Sequence, residues 1–374
     1  MGGNGADQRV GRIDVREMSV THSFVYIANP ARVLFGAGTL ALLSAELERL
    51  GVNRPIFVGT RRQEAMLRDL AADVSGPAAH VFAGAVMHTP VAVTETAMSL
   101  VAQGGADGIV ALGGGSTIGL GKAIALRTDL PQVVLPTTYA GSEMTPILGE
   151  TRDGAKTTQS NPKVLPEVVI YDVDLTVGLP PPQSATSGLN AMAHAIEALY
   201  ARDRNPMTEM MAIEGIRALA DALPRIVTAP SDRAARSDAL YGAWLCGSCL
   251  GAVGMALHHK LCHVLGGSLN LPHAETHAVV LPHALAYNAT AAPEAMSSLG
   301  KVFAGDPVIA LVELARRLGA PTALRDIGMP YDGIEIATRA ALASPYWNPQ
   351  PLEEDKLRTL IARAWAGDPP ARMT

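Results

Sequence analysis

The stretch "GIVALGGGSTIGLGKAIAL" (108–126) runs a short apolar β-rich segment through three glycines directly into a helical segment. A strand that enters a helix through so tight a turn opens a βαβ unit. Parallel strands need such crossovers, so this stretch commits the chain around it to a layered α/β fold. The alternation extends to both sides. "RPIFVGT" (54–60) reads as a strand followed by a charged helical stretch, "AAHVFAGAV" (78–86) as a strand, and "PVAVTETAMSLVAQGGA" (90–106) as a helix ending at glycines. "GIVALGGGS" (108–116) supplies a strand and its turn, "TIGLGKAIAL" (117–126) a helix, and "PQVVLPTT" (131–138) and "EVVIYDVDL" (167–175) further strands. A largely parallel sheet is predicted.

The pattern changes at "GLPPPQSATSG" (178–188), where three prolines in a row are expected to stop regular structure. Beyond them nearly everything reads as helix, from "GLNAMAHAIEALYA" and "MTEMMAIEGIRALADALP" to "DPVIALVELARRLG" and "LEEDKLRTLIARAWAG". Between these, "SDRAARSDALYGAWLCGSCLGAVGMALHHKLCHVLGG" reads as one long helical stretch. Ala, Leu, Met and Arg dominate these segments, as helix propensity favours. The expected plan is a flexible extension over 1–17, an α/β domain over 18–178 and a helical domain over 179–374.

Composition narrows the partners. With 48% hydrophobic and 17% charged residues the chain is globular rather than disordered. A net charge of −5 with no basic tract argues against a nucleic-acid partner. No apolar run approaches the ~20 residues of a membrane span, and no apolar leader stands at the start. A cytoplasmic protein is expected, with a small molecule as partner. Cys246, Cys249 and Cys262 are too few for a disulfide framework. Cys246 and Cys249 form a C-x-x-C, but inside an Ala/Gly/Leu-rich helix they read as small buried hydrophobes.

Two stretches have the chemistry of a nucleotide site. Gly113, Gly114, Gly115 and Ser116 bring backbone N–H groups and a helix N-terminus to one point, where a diphosphate would sit. The spacing is neither G-x-G-x-x-G nor a P-loop, since Lys122 is followed by Ala123. In "LPTTYAGSEMTP" (135–146), Thr137, Thr138 and Ser142 follow a strand end and could bind phosphate, ribose or the nicotinamide amide. Thr60, at the end of "RPIFVGT", joins them as a candidate. Arg61 and Arg62 stand where an acidic residue would select against a 2′-phosphate, so NADH and NADPH are both admitted. An unliganded turn with solvated hydroxyls is the alternative for each stretch.

The second concentration is histidine. "MALHHKLCHVLGGSLNLPHAETHAVVLPH" (255–283) holds six of the ten histidines, and "SGLNAMAHAIEA" adds His194 with Asn190 one turn before it. Residues four apart share a helix face, which pairs Asn190 with His194, His259 with His263, and His273 with His277. His194, His259 and His273 could bind a divalent metal. The carboxylate such a site wants is replaced by Asn190, with Glu197 and Glu275 near in sequence as substitutes. The other reading is a pocket for an anion, in which protonated histidines and Lys260 bind charge and one imidazole moves a proton. His258 and His283 fall off the paired pattern and read equally well as packing residues. His277 is a weaker candidate for the pocket.

Together, "ARVLFGAGTL", "GGGSTIGLGK", "PTTYAGSEMT", "GLNAMAHAIEA", "HHKLCHVLGG" and "PHAETHAVVLPHALAYN" span nearly the whole chain. The chain resembles the iron-containing (group III) alcohol dehydrogenases, of dehydroquinate synthase-like architecture. Within that family it is similar to the maleylacetate reductase branch, through "YAGSEMTPILGET" and "ALHHKLCHVLGG". The resemblance implies an N-terminal dinucleotide-binding domain, a helical C-terminal domain, an active site in the cleft between them, and a homodimer. The family's aspartate ligand falls on Asn190, its histidine ligands on His194, His259 and His273, and a histidine near substrate and nicotinamide on His263. The diphosphate loop falls on Gly113 to Ser116, and two cofactor threonines on Thr137 and Thr138.

Three departures accompany the resemblance. Asn190 replaces the aspartate, Gly119 replaces the aspartate of GGGS-x-x-D-x-x-K, and PTT-x-GTGSE is shortened to "PTTYAGSE". They fit a branch that does not require the metal. The implied reaction is NAD(P)H-dependent reduction of the conjugated C=C bond of maleylacetate, a small dianionic enedioate, to 3-oxoadipate in aromatic compound degradation. His263 would be the main donor, with His194, His259 and His273 shaping the pocket and Asn190 and Lys260 assisting. A metal-dependent alcohol or aldehyde dehydrogenase, a non-redox synthase and a nucleotide- or metal-binding sensor are the alternatives.

Overall fold

The structure, a computed structural model, describes residues 24–26, 28–29, 31–74, 80–152, 155–343 and 346–373. The expected extension over 1–17 lies outside the described residues. Eight strands are described: β1 (Arg32–Gly36), β2 (Pro55–Val58), β3 (His80–Phe82), β4 (Gly108–Gly113), β5 (Gln132–Pro136), β6 (Ile147–Arg152), β7 (Ala155–Ser160) and β8 (Val168–Asp172). Six form one sheet in the order β1-β8-β5-β4-β2-β3, and every pairing in it is parallel. The helices between the strands are α1 (Leu43–Arg49), α2 (Glu64–Asp73), α3 (Val91–Gly104) and α4 (Gly115–Thr128); the single turn α5 (Asp174–Val177) follows β8.

The central strands are apolar along their whole length because helices cover both faces. Alternate residues of β4 split between two layers: Val110 and Leu112 pack with Leu43, Leu47 and Leu67, and Ile109 and Ala111 with Ala97, Ile118 and Ile124. β4 and β5 end in register, Gly113 opposite Pro136. The loops after them therefore leave the same carboxyl edge, where open α/β sheets bind ligands.

Two parts of this region differ from the sequence expectation. The motif "ARVLFGAGTL" contains β1, which makes "RPIFVGT" the second strand rather than the first. "ILGETR" and "AKTTQS" form the antiparallel hairpin β6–β7; their polar, alternating sequence carries no parallel-strand signal. The described strand in "AAHVFAGAV" is three residues, His80–Phe82.

The second region is helical: α6 (Pro181–Leu199), α7 (Pro206–Thr228), α8 (Arg233–Ala252), α9 (Leu257–Leu269), α10 (His273–Asn288), α11 (Pro293–Phe303), α12 (Pro307–Arg317), α13 (Gly333–Leu342) and α14 (Glu354–Ala366). The prolines at 180–182 start structure instead of stopping it. Pro181 and Pro182 occupy the first turn of α6, where the missing N–H has no intrahelical partner to lose. α6 is buried from Ser184 to Leu199, and its Ala/Gly/Ser composition lets neighbouring helices approach. A methyl on Gly188 would lie 2.6 Å from Leu223.

The long stretch read as one helix is two. It breaks at 253–256, and α8 and α9 meet at 93°. Val253 is extended at the end of α8, and the Gly254 N–H donates to Asp203 at 3.0 Å instead of to the helix. The break brings the N-terminal end of α9 onto Glu197 of α6. α9 then runs through Gly266 and Gly267 to Leu269, and left-handed Asn270 ends it. Cys246 and Cys249 are buried packing residues, with Cys246 Sγ 2.8 Å from where a Gly215 side chain would start. Burial pushes both thiols up, Cys249 to about 12. Among the described residues no single helix is long and apolar enough to cross a membrane.

Candidate active site

At the carboxyl edge of the sheet, the glycines are needed for space. A side chain on Gly113 would begin 2.4 Å from Thr117 Oγ1, and one on Gly114 would begin 2.8 Å from the Thr138 side chain. A side chain on Gly115 would meet nothing within 4 Å. Gly115 is also the first residue of α4, so the positive end of that helix faces open space, as a diphosphate cradle must. The Thr137 N–H donates to Gly113 O at 3.1 Å and ties the second candidate loop to the first. The Ser142 hydroxyl is buried without a hydrogen-bond partner among the described residues.

Thr60 caps the short turn Arg61–Gln63. Its N–H donates to Gln63 Oε1 at 3.2 Å, and its hydroxyl meets the same oxygen. Arg61 and Arg62 are exposed beside it. At Gly119, where the family has an aspartate, a side chain would begin 2.4 Å from Thr89 Oγ1. Thr89 is buried at positive φ and occupies that space.

Lys122, which fails the P-loop pattern, closes "GGGSTIGLGK". It is buried in α4 and donates to Ser142 O and Thr145 O at 2.6 Å, to Ile147 O at 3.0 Å and to Thr145 Oγ1 at 3.0 Å. Burial pulls the amine down to about 7, against the pull of nearby Glu143. Lys122 thus pins the segment between β5 and β6. In that segment Gly141 has φ +80, and its α-carbon faces Gly247 of α8 and His194. The cofactor-side loop therefore abuts the histidines directly.

The histidines do converge. Ring centroids of His194 and His259 are 5.0 Å apart, His259 and His263 6.4 Å, and His273 and His277 4.3 Å. Asn190, His194 and His259 are buried, His273 is half-buried, and His263 is exposed at the outer end of the row. Asn190 Oδ1, His194 Nδ1 and His259 Nε2 have no hydrogen-bond partner among the described residues. Buried polar atoms are rarely left so, and here they mark a cage for a guest. A divalent ion fits these donors by type; they offer it no charge.

His277 is more central than the sequence suggested. It packs against His194, His258, His259 and His273. His258 Nε2 and His277 Nδ1 are 2.9 Å apart, with Cys262 Sγ 3.7 Å from the former. These three place their donor atoms within 4.8 Å of one another. The 2.9 Å separation is that of a hydrogen bond, shorter than the ~3.3 Å two nitrogens keep around one tetrahedral ion.

The expectation of protonated histidines needs correction at depth. Burial, reinforced by neighbouring imidazoles, holds His194, His258 and His277 well below the ordinary histidine range. They are neutral near pH 7 and act as hydrogen-bonding groups. Lys260 is half-buried with its ammonium 5.3 Å from the centre of the Tyr346 ring, a cation–π contact. His283 lies apart, near Arg363 and Asp368.

Glu197, noted from sequence as a spare metal carboxylate, stands behind His259 instead. Its Oε2 is 2.7 Å from His259 Nδ1 and accepts from Ala256 N at 2.9 Å, while its Oε1 accepts from His258 N at 2.8 Å. Its signal was its place three residues after His194 in "HAIEA"; what it touches depends on the break before α9. Glu275 is half-buried in the first turn of α10.

The family model "Iron-containing alcohol dehydrogenase" matches residues 30–173, and "Fe-containing alcohol dehydrogenase family, C-terminal" matches 184–365. The maleylacetate reductase of Rhizobium sp. (strain MTP-10005) is 55% identical over 93% of this chain and 99% of that protein. The crystal structure of maleylacetate reductase from Agrobacterium tumefaciens, 56% identical, superposes with a TM-score of 0.90 over 93% of this chain and 99% of that one. A putative alcohol dehydrogenase structure from Ralstonia eutropha JMP134 is 54% identical, with a TM-score of 0.92 over 94% of this chain and 100% of that one. The chain belongs to the iron-containing alcohol dehydrogenase family.

Proposed function

We infer that this enzyme is an NAD(P)H-dependent oxidoreductase that reduces the conjugated C=C bond of maleylacetate to give 3-oxoadipate. The observation that carries the reading is full-length likeness, at 55% identity, to a maleylacetate reductase. The nicotinamide, when bound, would supply hydride to the alkene carbon β to the ketone. The electron pair of the double bond moves onto the ketone oxygen as an enolate, and a proton returns to the adjacent carbon. An enolate needs hydrogen-bond donors aimed at its oxygen. His194 and His273 with Asn190 line the wall for that oxygen and for the substrate carboxylates, with His259 beside them. His263, exposed at the mouth, is the proton donor. Gly113 to Ser116, Thr137, Thr138 and Ser142 hold the dinucleotide, and Thr60 shapes its edge.

An ion, when bound, would be held by His194, His259, His273 and Asn190 and would act as a Lewis acid on the ketone oxygen. The chemistry does not require it, because enolate charge is spread by conjugation and the cage offers donors of its own. Arg61 and Arg62 favour acceptance of both NADH and NADPH.

The α/β unit is drawn at 18–178 and the helical unit at 179–374. The exposed Phe24, Val25 and Tyr26 precede the edge strand β1, which supports a homodimer closed along that edge. Three free, buried cysteines fit a cytoplasmic protein. The decisive measurement is NAD(P)H oxidation with maleylacetate, using each cofactor, before and after chelation with metal content determined. Turnover that survives chelation is expected. Turnover lost with a stoichiometric ion and restored by it, together with oxidation of small alcohols, would establish the metal-dependent dehydrogenase instead.

A further inference from the structure

Glu197 has no part in that mechanism, yet it is fully buried beside the cage. It lies on α6 almost one turn beyond His194, and its carboxylate sits on the N-terminal end of α9. Oε1 accepts from His258 N at 2.8 Å, and Oε2 accepts from Ala256 N at 2.9 Å and from His259 N at 3.5 Å. The orphan amides of a helix start are thus satisfied by a side chain from another helix. The fourth contact is of a different kind. His259 Nδ1 lies 2.7 Å from Oε2, and since both carboxylate oxygens act as acceptors toward the backbone N–H groups around them, the proton between them is assigned to Nδ1. His259 Nε2 is then the atom turned away from Glu197. It is buried, without a partner among the described residues, on a ring 5.0 Å from that of His194.

We propose that Glu197 is the positioning residue of His259. It fixes the Nδ1–H tautomer, aims Nε2 into the cage, and supplies from behind the imidazole the negative charge that Asn190 does not supply within it. A carboxylate behind a ligand histidine orients the ring and raises its basicity. With Asn190 in the cage, the Glu197 carboxylate touches it through a histidine, held one residue back. Nε2 then presents its lone pair to the cage, as an acceptor for a proton of the bound substrate. The second half of this statement rests on the cage being the substrate site; the tautomer does not.

The test separates the two. Two-bond ¹H–¹⁵N correlation spectra of the ¹⁵N-histidine-labelled full-length enzyme, without substrate, read the tautomer directly, with the His259 signals assigned by their loss in His259→Ala. Nδ1–H is expected in the native protein, loss of that fixed state in Glu197→Gln, and its return in Glu197→Asp, which restores the charge. Kinetics then form a cycle of Glu197→Gln, His259→Ala and the pair. Glu197→Gln should lower kcat about tenfold or more with KM for NADH unchanged, and should have almost no further effect once His259 is gone. An Nε2–H tautomer in the native protein overturns the proposal even if the variants fail to fold. An equal Glu197→Gln loss with and without His259 also overturns it, leaving a carboxylate that merely caps α9. Failure of every form to reduce maleylacetate, with the Nδ1–H tautomer present, would count against the proposed substrate and leave the positioning of His259 standing.

Discussion

Asn190 differs from an aspartate by one atom, and that atom decides the charge of the cage. Beside it stand His194 and His259, both buried. A carboxylate placed there without a counter-ion is strongly disfavoured, so Asn190→Asp should recruit one. We expect bound zinc or iron to rise toward one per chain by elemental analysis; with the ion removed by chelation, KM for the dianionic substrate should rise about tenfold through like-charge repulsion. His263→Ala is a contrasting change. The residue is exposed, so its loss opens no cavity, and the melting temperature should stay within about a degree while kcat falls on the order of 100-fold. The i, i+4 spacing was enough to find these residues because each pair lies on one helix. The roles of Glu197 and His277 were not legible. Each depends on contacts between helices, Glu197 across the α8–α9 break and His277 across the α9–α10 turn, and no local period encodes those.

Elements were legible where one period dominated. The buried strands and the α6–α14 segments follow their hydrophobic patterns, whereas β1 and the β6–β7 hairpin lack a distinctive one. Proline misled because its meaning is positional: after an extended residue it starts a helix as readily as it ends one. The same device recurs at α7, where Pro206 follows Asn205, whose side chain accepts from the N–H groups of Met207 and Thr208 at 3.1 Å. Asn205→Ala should cost roughly 1 kcal/mol by denaturant titration, with activity unchanged. Gly141→Ala acts on the loop that Lys122 pins. It adds a methyl 2.9 Å from Gly247 Cα at a left-handed backbone position. Backbone cannot swing aside as a side chain would, so stability and kcat should fall together, by at least 1 kcal/mol and several-fold respectively.

For the whole molecule, pH should matter through histidines that fold into apolar surroundings. His283 is buried far from the cage, and burial lowers it to about 4, with Arg363 adding to the effect. A group depressed on folding stabilises the protein above its unfolded value, near 6.5. That contribution is lost as pH falls toward 4, roughly 3 kcal/mol in total if His283 alone is considered. Thermal melts between pH 7 and pH 4 should therefore show a progressive loss, and His283→Asn should flatten it. An unchanged slope in that variant would mean that His283 is protonated in the native state without penalty.

The segment from Thr137 to Ile147 belongs to the sheet by connectivity, yet Gly141 rests on α8 and His194. A dinucleotide that settles on Thr137 and Thr138 therefore also seats the backbone against which His194 is held, before any substrate arrives. The enzyme should add its reactants in a compulsory sequence, nucleotide first. Product-inhibition patterns competitive between NAD(P)⁺ and NAD(P)H, and non-competitive for 3-oxoadipate against either substrate, would carry that signature; random addition would show that the loop is already set in the free enzyme.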